Sequence, residues 1–314
     1  MIYSYSNTPI VIAFTPNYLI PAAVTIQSIL HASTADEHFL FICLLSEDLP
    51  SWQVDELHKL VGARATFKFL NLKGQLSDVY VDAKYTEAAN YRLMLPNLFP
   101  TYDKVLYIDC DVVVRQDLAR LYRNTDLGNN YLAGVFEAPL EHQLPHMNAI
   151  GCAPGKYINS GFLIMDLALM RQDDISNKLI DALRVDYLEF PDQDALNTVC
   201  RGRIMGLPPI YNSIRTFFLP QYKSAFLQYY TEADWQQVQT SGTIHYTGGK
   251  PCNIFSVMFR EWWQEYESLP ESIRKRMPVN RKMQQLFKVY NNPIGRFVLD
   301  CTRQVYRAIK HTQQ

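Results

Sequence analysis

Two aspartates separated by one residue follow an apolar run in the middle of the chain. The run 104–108 reads KVLYI and is typical of a buried strand, and Asp109 and Asp111 come directly after it. In an extended chain, residues i and i+2 project to the same face, so the two carboxylates repel each other unless a cation lies between them. Mg²⁺ and Mn²⁺ accept such oxygen ligands and leave positions open for substrate phosphates. The spacing therefore predicts a metal–diphosphate site at the carboxyl edge of an α/β sheet, with acids at a strand end or turn as the alternative.

The composition bounds the classes of protein to which this chain can belong. Its 314 residues are 48% hydrophobic and 13% aromatic, which indicates a packed core of one large or two smaller α/β domains. A formal net charge of −1 gives no sign of a nucleic-acid partner. No apolar run approaches the ~20 residues that span a bilayer, and the N-terminus lacks a secretory pattern. Scattered cysteines without a Cys-x-x-Cys pair favour free thiols and a cytoplasmic location.

Strand-like and helix-like segments alternate through the first two thirds of the chain. This rhythm predicts an α/β fold with a mostly parallel sheet and helices on both faces. Besides the strand before Asp109, the predicted strands are 9–14, 39–45, 65–70, 131–136 and 161–166, with a last sheet segment at 242–251. The predicted helices are 18–31, 51–61, 86–95 and about 174–187, the third with Thr86 as its N-cap and an end near Pro96.

The C-terminal tail differs from the rest of the chain in its charge. Residues 274–310 contain ten Lys or Arg and one acid, Asp300, with aromatic and aliphatic residues between them. A basic helix with an apolar face can lie in an anionic lipid surface, so peripheral contact with the inner face of the membrane is one interpretation. A helical extension that packs on the domain with a solvated basic face is the other. The segment around 291–295 is predicted to divide the tail into two short helices.

Four further segments accompany the two aspartates in a fixed order. They are Tyr91-Arg92, the run 158–167 (INSGFLIMDL), the triplet Asp192-Gln193-Asp194 and the loop 245–251 (HYTGGKP). With these spacings the chain resembles, from about residue 9 to 270, the family 8 retaining glycosyltransferases, which include bacterial lipopolysaccharide α-galactosyl- and α-glucosyltransferases and glycogenin. The resemblance implies a GT-A catalytic domain over 1–270 with a helical extension over 271–314. It also implies a UDP-sugar donor (UDP-glucose or UDP-galactose), Mn²⁺ or Mg²⁺ as cofactor, and a cell-envelope glycan or glycolipid as acceptor.

The resemblance also implies roles for individual residues. Asp109, Asp111 and His245 would hold the metal, a ligand set of carboxylates and imidazole that suits Mn²⁺. Lys250 would face the leaving diphosphate, beside glycines that let backbone N–H groups approach phosphate. The full set of implied donor-binding residues is Ala13, Thr15, Asn17, Arg92, Asp109, Cys110, Asn159, Asp192, Gln193, Gly248 and Lys250. Without the resemblance, a structural histidine and an exposed helical arginine are the simpler interpretations of His245 and Arg92.

The triplet 192–194 would carry the catalytic residues. Asp192 would hold sugar hydroxyls, and Gln193 would lie beside the anomeric carbon. An amide is a poor nucleophile, so a same-face displacement is favoured in which a UDP phosphate oxygen accepts the acceptor's proton and the Gln193 carbonyl stabilises positive charge. Asp194 is the nearest residue that could act as a nucleophile instead. Acids at a helix N-terminus would give the same pattern without catalysis.

Two departures from the family pattern leave other functions open. Thr15-Pro16 stands where family members usually carry acids, which predicts weaker selection of the nucleobase. The loop after His245 is one residue shorter than usual and ends in Cys252 instead of tryptophan. These departures support a non-catalytic protein that binds nucleotide sugars, as a second hypothesis. A strand that ends in Asp-x-Asp also resembles haloacid-dehalogenase-type phosphatases, but no accompanying Ser/Thr and Lys motifs are found.

Overall fold

A seven-stranded sheet forms the centre of the protein in a computed structural model, which describes residues 7–76, 79, 87–185, 188–277 and 279–311, the last nine by backbone alone. The strands are Thr8–Phe14 (β1), Phe39–Leu45 (β2), Ala65–Asn71 (β3), Lys104–Ile108 (β4), Val112–Val113 (β5), Leu132–Phe136 (β6), Ile158–Asp166 (β7), Ile204–Gly206 (β8), Ser213–Ile214 (β9) and Ile244–His245 (β10). The central order is β3-β2-β1-β4-β7-β6-β8, and β5-β10-β9 form a small second sheet. In the central sheet β7 runs antiparallel to its neighbours β4 and β6, and the other paired strands are parallel.

Helices connect most of these strands. They are Leu19–His31 (α1), Ser51–Val61 (α2), Glu87–Asn90 (α3), Leu95–Leu98 (α4), Leu118–Asn124 (α5), Leu144–Ala149 (α6), Leu167–Gln172 (α7), Ile175–Ala182 (α8), Pro191–Val199 (α9), Lys223–Phe226 (α10), Glu232–Ser241 (α11), Phe259–Ser268 (α12), Glu271–Arg276 (α13), Arg281–Asn291 (α14) and Pro293–His311 (α15). Within the described residues, no helix is long and apolar enough to cross a membrane. The predicted α/β fold with a mostly parallel sheet and helices on both faces is confirmed.

The core lies on both faces of the central sheet because its strands are buried on both sides. Along β1, Ile10 and Ile12 belong to one hydrophobic cluster, whereas Val11 and Ala13 belong to the other. This division follows from the alternation of side chains along a strand. It also explains why β1 and β2 read as continuous apolar runs, as expected of parallel strands covered by helices.

Some predicted elements differ from the structure. The helix predicted over 86–95 is two short α-helices, α3 and α4, joined by a 3₁₀ segment at Tyr91–Met94. Pro96 lies in the first turn of α4 instead of ending a helix, a position where a proline needs no N–H partner. The predicted N-cap Thr86 lies outside the described residues. The helix predicted over 174–187 ends at Ala182, and the last sheet segment is reduced to the two residues of β10.

The beginning of the basic tail packs on the domain. Ile273 of α13 is fully buried, and Phe287 of α14 stacks on Trp263 of α12 with ring centroids 5.8 Å apart. The tail is divided at Asn292 into α14 and α15, so the predicted break within 291–295 is confirmed, although α15 is 19 residues long and not short. The α15 residues Ile294, Phe297 and Val298 are 75%, 70% and 55% exposed. The first part of the tail therefore belongs to the core, and α15 presents apolar side chains outward.

Candidate active site

The residues predicted to do chemistry lie at the point in the sheet where the order of successive strands changes side. After β1 the chain builds β2 and β3 on one side, and β4 then pairs with β1 on the other side. Ligands in open α/β sheets bind at the carboxyl ends of strands at such a point. Asp109 follows the last residue of β4, and its backbone N–H donates to the carbonyl of Gly161 over 2.9 Å. Because β7 is antiparallel, its first residues lie beside the end of β4.

Asp109, Asp111 and His245 form a compact group at this edge. One ligand atom from each lies within 4.8 Å of the others. The His245 Nε2 atom is 3.3 Å from Asp111 and 3.7 Å from Asp109. Burial raises the pKa of Asp111, but the neighbouring Lys250 and His245 side chains outweigh it and hold that pKa well below the ordinary value. Two carboxylates and one imidazole with their ligand atoms this close together are a donor set that fits a divalent cation such as Mn²⁺.

Asn212 fixes the orientation of the imidazole. The His245 Nδ1 atom lies 3.0 Å from Asn212 Oδ1, and the amide of Asn212 donates to Asn159 Oδ1 over 2.9 Å. An amide oxygen accepts only, so Nδ1 carries a proton, and Nε2 is the ring atom that faces the two carboxylates. Asn212 is fully buried between β9 and the 3₁₀ segment at Pro209–Tyr211. Such a partner to the second ring nitrogen is a usual feature of histidines that bind metals.

Arg92 lies beneath the cluster and is not an exposed helical arginine. It is 3% exposed, and its guanidinium donates to Asp109 over 2.8 Å and to the carbonyl of Ser160 over 2.6 Å. It also lies 3.2 Å from Asp192 and over the ring of Tyr107 at 4.4 Å. The 3₁₀ segment at Tyr91–Met94 thus carries a buried cation between two carboxylates, which keeps both of them compatible with burial.

A network of amides and carboxylates continues from the cluster. The Gln193 carbonyl accepts the Ser160 N–H at 3.0 Å and the Asn159 amide at 3.1 Å, and its own amide lies 3.3 Å from Glu137. Asp192 accepts the Ser160 hydroxyl at 2.8 Å. Burial raises the pKa of Glu137 and of Asp192, in the second case against the opposing charge of Arg92. The Gln193 carbonyl, which was expected to face an anomeric carbon, therefore accepts hydrogen bonds from two residues of β7.

Two cavities meet at the metal-ligand cluster. The first, of about 390 Å³, is lined by the network just described and by Ile214 and Thr216. The second, of about 600 Å³, extends over the end of β1. Both are lined by Arg92, Asp109, Asp111, Gly248 and Lys250, so they are two lobes of one cleft. We call them the first and second lobes.

Most of the predicted donor-binding residues line this cleft. Asn159, Asp192 and Gln193 line the first lobe, and Ala13, Thr15 and Cys110 line the second. Lys250 contacts the carboxylate of Asp111 and donates to the carbonyl of Tyr246 over 2.8 Å, so the shortened loop still directs this side chain into the cleft. Asn17 lines a third groove, beside Trp52 and Arg276, which shares Tyr18 and Lys250 with the second lobe.

Asp194 does not face the cleft. Its side chain is fully buried and accepts hydrogen bonds from the Tyr157 hydroxyl at 2.5 Å and from the backbone N–H groups of Glu189 and Phe190, each at 3.0 Å. The imidazole of His146 lies 3.0 Å from the same carboxylate. All of its oxygens are thus satisfied away from the lobes, which does not fit a nucleophile. A side chain two residues from Asp192 points elsewhere because both sit on the first turn of α9, where successive residues are about 100° apart.

Several residues that line the cleft or support its side chains were missed by sequence reasoning. They are Tyr18, Tyr107, Glu137, Phe190 and Asn212. Glu137 follows directly after β6, as Asp109 follows β4, and its position after a predicted strand was a signal that could have found it. Asn212 lies in an irregular segment between short elements, and no periodic pattern points to it.

The fold and the cleft define the class of GT-A glycosyltransferases. Comparison with known families agrees, because the model of glycosyl transferase family 8 matches residues 9–252. The chain belongs to this family. Its membership gives no support to the phosphatase hypothesis.

Individual proteins agree with this assignment. The chain is 29% identical over 194 residues to General stress protein A of Bacillus subtilis, covering 59% of this chain and 66% of that protein. It is 29% identical over 182 residues to the lipopolysaccharide 1,2-glucosyltransferase of Escherichia coli, covering 55% of this chain and 51% of that protein. The galactosyltransferase LgtC, solved with donor and acceptor sugar analogs, superposes with a TM-score of 0.71 at 25% identity, covering 86% of this chain and all of that one. The chain thus spans about half to two thirds of the length of these two curated relatives.

Proposed function

We propose that this protein transfers a hexose from UDP-glucose or UDP-galactose to a glycan of the cell envelope or to a glycolipid, with retention of configuration. The observation that carries the proposal is the group Asp109, Asp111 and His245 at the junction of two lobes. A diphosphate bound there would lie between a nucleoside in the second lobe and a sugar in the first. The relatives named as a glucosyltransferase and a galactosyltransferase support a hexose donor.

The residues of the cleft have separate tasks in this proposal. Asp109, Asp111 and His245 would hold Mn²⁺, with Mg²⁺ as an alternative, and the bound ion would neutralise the diphosphate charge during departure of UDP. Lys250 adds a positive charge at the same place. Arg92 holds Asp109 and Asp192 in position from below. Asp192 and Asn159 bind sugar hydroxyls in the first lobe.

The geometry favours a same-face displacement over a covalent intermediate. Asp194 is fully buried and satisfied away from the first lobe, and the amide of Gln193 is a poor nucleophile. In the proposed step, the acceptor hydroxyl attacks the anomeric carbon as the bond to UDP breaks, and its proton passes to a phosphate oxygen. Proton NMR of the first-formed product tests this, because an α-linkage is expected and a β-linkage would overturn the mechanism.

The activity itself is tested by hydrolysis of UDP-glucose and UDP-galactose with Mn²⁺, with and without EDTA. We expect turnover that EDTA abolishes. Replacement of a charged ligand in Asp109→Asn or Asp111→Asn should lower turnover roughly 10²-fold or more, because the ion supplies several kcal/mol of charge stabilisation. The exposed Asp55→Asn on α2 is the matched control. Binding of UDP-sugar without any turnover would favour the non-catalytic hypothesis, and full activity of Asp111→Asn without metal would refute the metal site.

We further propose that the protein resides in the cytoplasm and contacts the inner face of the membrane through α15. All six cysteines are unpaired, which fits a reducing compartment. The outward apolar residues of α15 accompany the basic residues of 274–310, and this combination suits an anionic bilayer surface. Such a contact would hold the active site beside a lipid-linked acceptor.

A further inference from the structure

Asp194 forms the centre of a hydrogen-bonded clamp behind the catalytic turn. Its carboxylate accepts the N–H groups of Glu189 and Phe190, and its own N–H donates to the carbonyl of Phe190 over 2.7 Å. The segment that enters α9 is thereby tied to the first turn of that helix. Asp192 and Gln193 lie on the same turn, so the clamp fixes the backbone that presents them to the first lobe.

His146 closes this clamp from a different part of the chain. It lies on α6, and its Nε2 atom is 3.1 and 3.0 Å from the two oxygens of Asp194. Its ring packs edge-on against Phe190 with centroids 6.3 Å apart, and its Nδ1 atom is 3.7 Å from Glu189. Since a carboxylate only accepts, Nε2 carries a proton that it donates to Asp194. One imidazole therefore contacts three residues that together set the position of the catalytic turn.

The segment before α6 forms a wall of the first lobe. Ala138 and Gln143 line that lobe, and Gln143 closes the 3₁₀ turn that leads into α6 through its contact with the Leu140 N–H at 2.8 Å. His146 thus joins this wall of the first lobe to the turn that carries Asp192 and Gln193. A shift of either element changes the hydrogen bonds of Asp194.

We propose that His146 is a positioning residue for the transfer reaction and acts through Asp194. It holds the first turn of α9 in the register that places Asp192 and Gln193 at the donor sugar. The inference rests on the proposed function for its catalytic consequence, but the clamp itself is independent of that function. It assigns Asp194 to positioning and not to covalent catalysis.

Two variants separate this role from general stability. His146→Phe keeps an aromatic ring against Phe190 but removes the donor to Asp194, whereas His146→Gln keeps an N–H donor. The control is His142→Phe, because His142 is exposed on the same segment. We expect His146→Phe to lower kcat for UDP-sugar hydrolysis about 10- to 100-fold, since an error of about 1 Å in positioning can cost that much. We expect KM to stay within about twofold, because the diphosphate contacts are distant, and His146→Gln to recover most of the rate.

Hydrogen exchange gives a readout that does not depend on turnover. In His146→Phe, amides in 188–199 and in 138–150 should both exchange faster, while amides of β1 and β2 stay unchanged. The His142→Phe control should match the wild type in both segments. Unchanged hydrogen exchange in 188–199 would overturn the proposal. So would a rise in KM as large as the fall in kcat, if His146→Gln fails to restore either value. If the wild type hydrolyses no UDP-sugar, the proposed function fails and the exchange result alone decides the clamp.

Discussion

The side chains at this site are held in position by partners that are almost completely buried. Arg92 neutralises two carboxylates, Asn212 orients an imidazole, and Glu137 receives two amides, and each of the three is at least nine-tenths buried. Buried polar groups are stable only when they are paired, so loss of one partner leaves another unsatisfied. Substitution of these supporting residues should therefore change the chemistry of the residues that face the substrate.

The tautomer of His245 gives a first test at this scale. Asn212→Leu removes the acceptor of the Nδ1–H group, so the ring is free to rotate or to present a protonated Nε2 to the metal. We expect Mn²⁺ affinity to fall about 10- to 100-fold, as is typical for partners of metal-binding histidines. Titration with Mn²⁺ followed by electron paramagnetic resonance measures this. Asn253→Leu on the exposed part of the following loop is the control, and equal affinity in the two variants would contradict the role of Asn212.

The buried carboxylate of Glu137 gives a test by pH. Burial raises its pKa above the ordinary 4.5, so the folded state binds this proton more tightly than the unfolded state does. Stability is then lost as pH rises through the interval between the two pKa values, because the charge must be buried. Glu137→Gln keeps the shape and an acceptor oxygen but cannot ionise. We therefore expect the Tm difference, variant minus wild type, to increase from pH 4.5 towards pH 8.

The control for this measurement is Glu141→Gln, because Glu141 is exposed in the neighbouring turn. Its Tm difference should stay near zero at all pH values. A difference for Glu137→Gln that does not change with pH would show that the buried charge of Glu137 does not limit stability.

At the scale of elements, the metal-ligand group forms where β4 and β7 of the central sheet lie close to β10 of the small second sheet. Asp109 follows β4, Gly161 lies in β7, and His245 ends β10 in the second sheet. A Cβ atom on Gly161 would lie 2.2 Å from His245 Cε1 and 2.7 Å from an Asp109 carboxylate oxygen. Glycine is needed here for the space it leaves, and not for an unusual backbone conformation.

Gly161→Ala tests this packing. The added methyl group must displace His245 or Asp109, so we expect Mn²⁺ affinity to fall at least about tenfold and UDP-sugar hydrolysis to fall with it. Gly134→Ala in β6 is the matched control, since its Cβ would meet flexible side-chain ends of Ile158 and Leu163 at 3.3 Å. The same loss of affinity in both variants would indicate a general disturbance of the sheet.

For the whole molecule, the tail divides into a packed part and an outward part. Phe287 and Ile273 are buried, and Tyr290 packs against Phe255 at 5.1 Å and Phe259 at 6.0 Å. A boundary at residue 270 therefore cuts through a core contact, although the extent of an independent catalytic domain stays a prediction. A boundary after α14 separates α15 alone.

Two truncations distinguish these parts. A chain that ends at Asn292 should keep its Tm within a few degrees and keep hydrolysis, but lose binding to anionic vesicles, since each Lys or Arg near such a surface contributes about 1 kcal/mol. A chain that ends at Pro270 exposes Trp263 and should lose on the order of 3–5 kcal/mol for the aromatic contact alone. Co-sedimentation with anionic and neutral vesicles at low and high salt measures binding. Equal binding of the full chain and the Asn292 truncation would contradict the membrane contact.

The sequence by itself determined the elements that have a strong local pattern. The strands β1 and β2, the helices α1 and α2, and the aspartates after β4 follow from apolar periodicity and position, because burial on one or both faces imposes a repeat on the residue types. The family resemblance then predicted that His245, Asn159, Asp192 and Lys250 share one site, and the structure places all four in the first lobe. The roles of these residues stay predictions.

The tertiary structure alone decided which side chains meet. The apolar run of β7 does not indicate that this strand is antiparallel to β4. That direction nevertheless places Gly161 beside Asp109. Asp194 faces Tyr157 and His146, which are distant in the sequence, and Asn17 lines a groove that adjoins the second lobe. Local patterns record whether a side chain is buried, because burial selects residue type. They do not record its partner, because hydrogen bonds between distant segments depend on how the whole chain is folded.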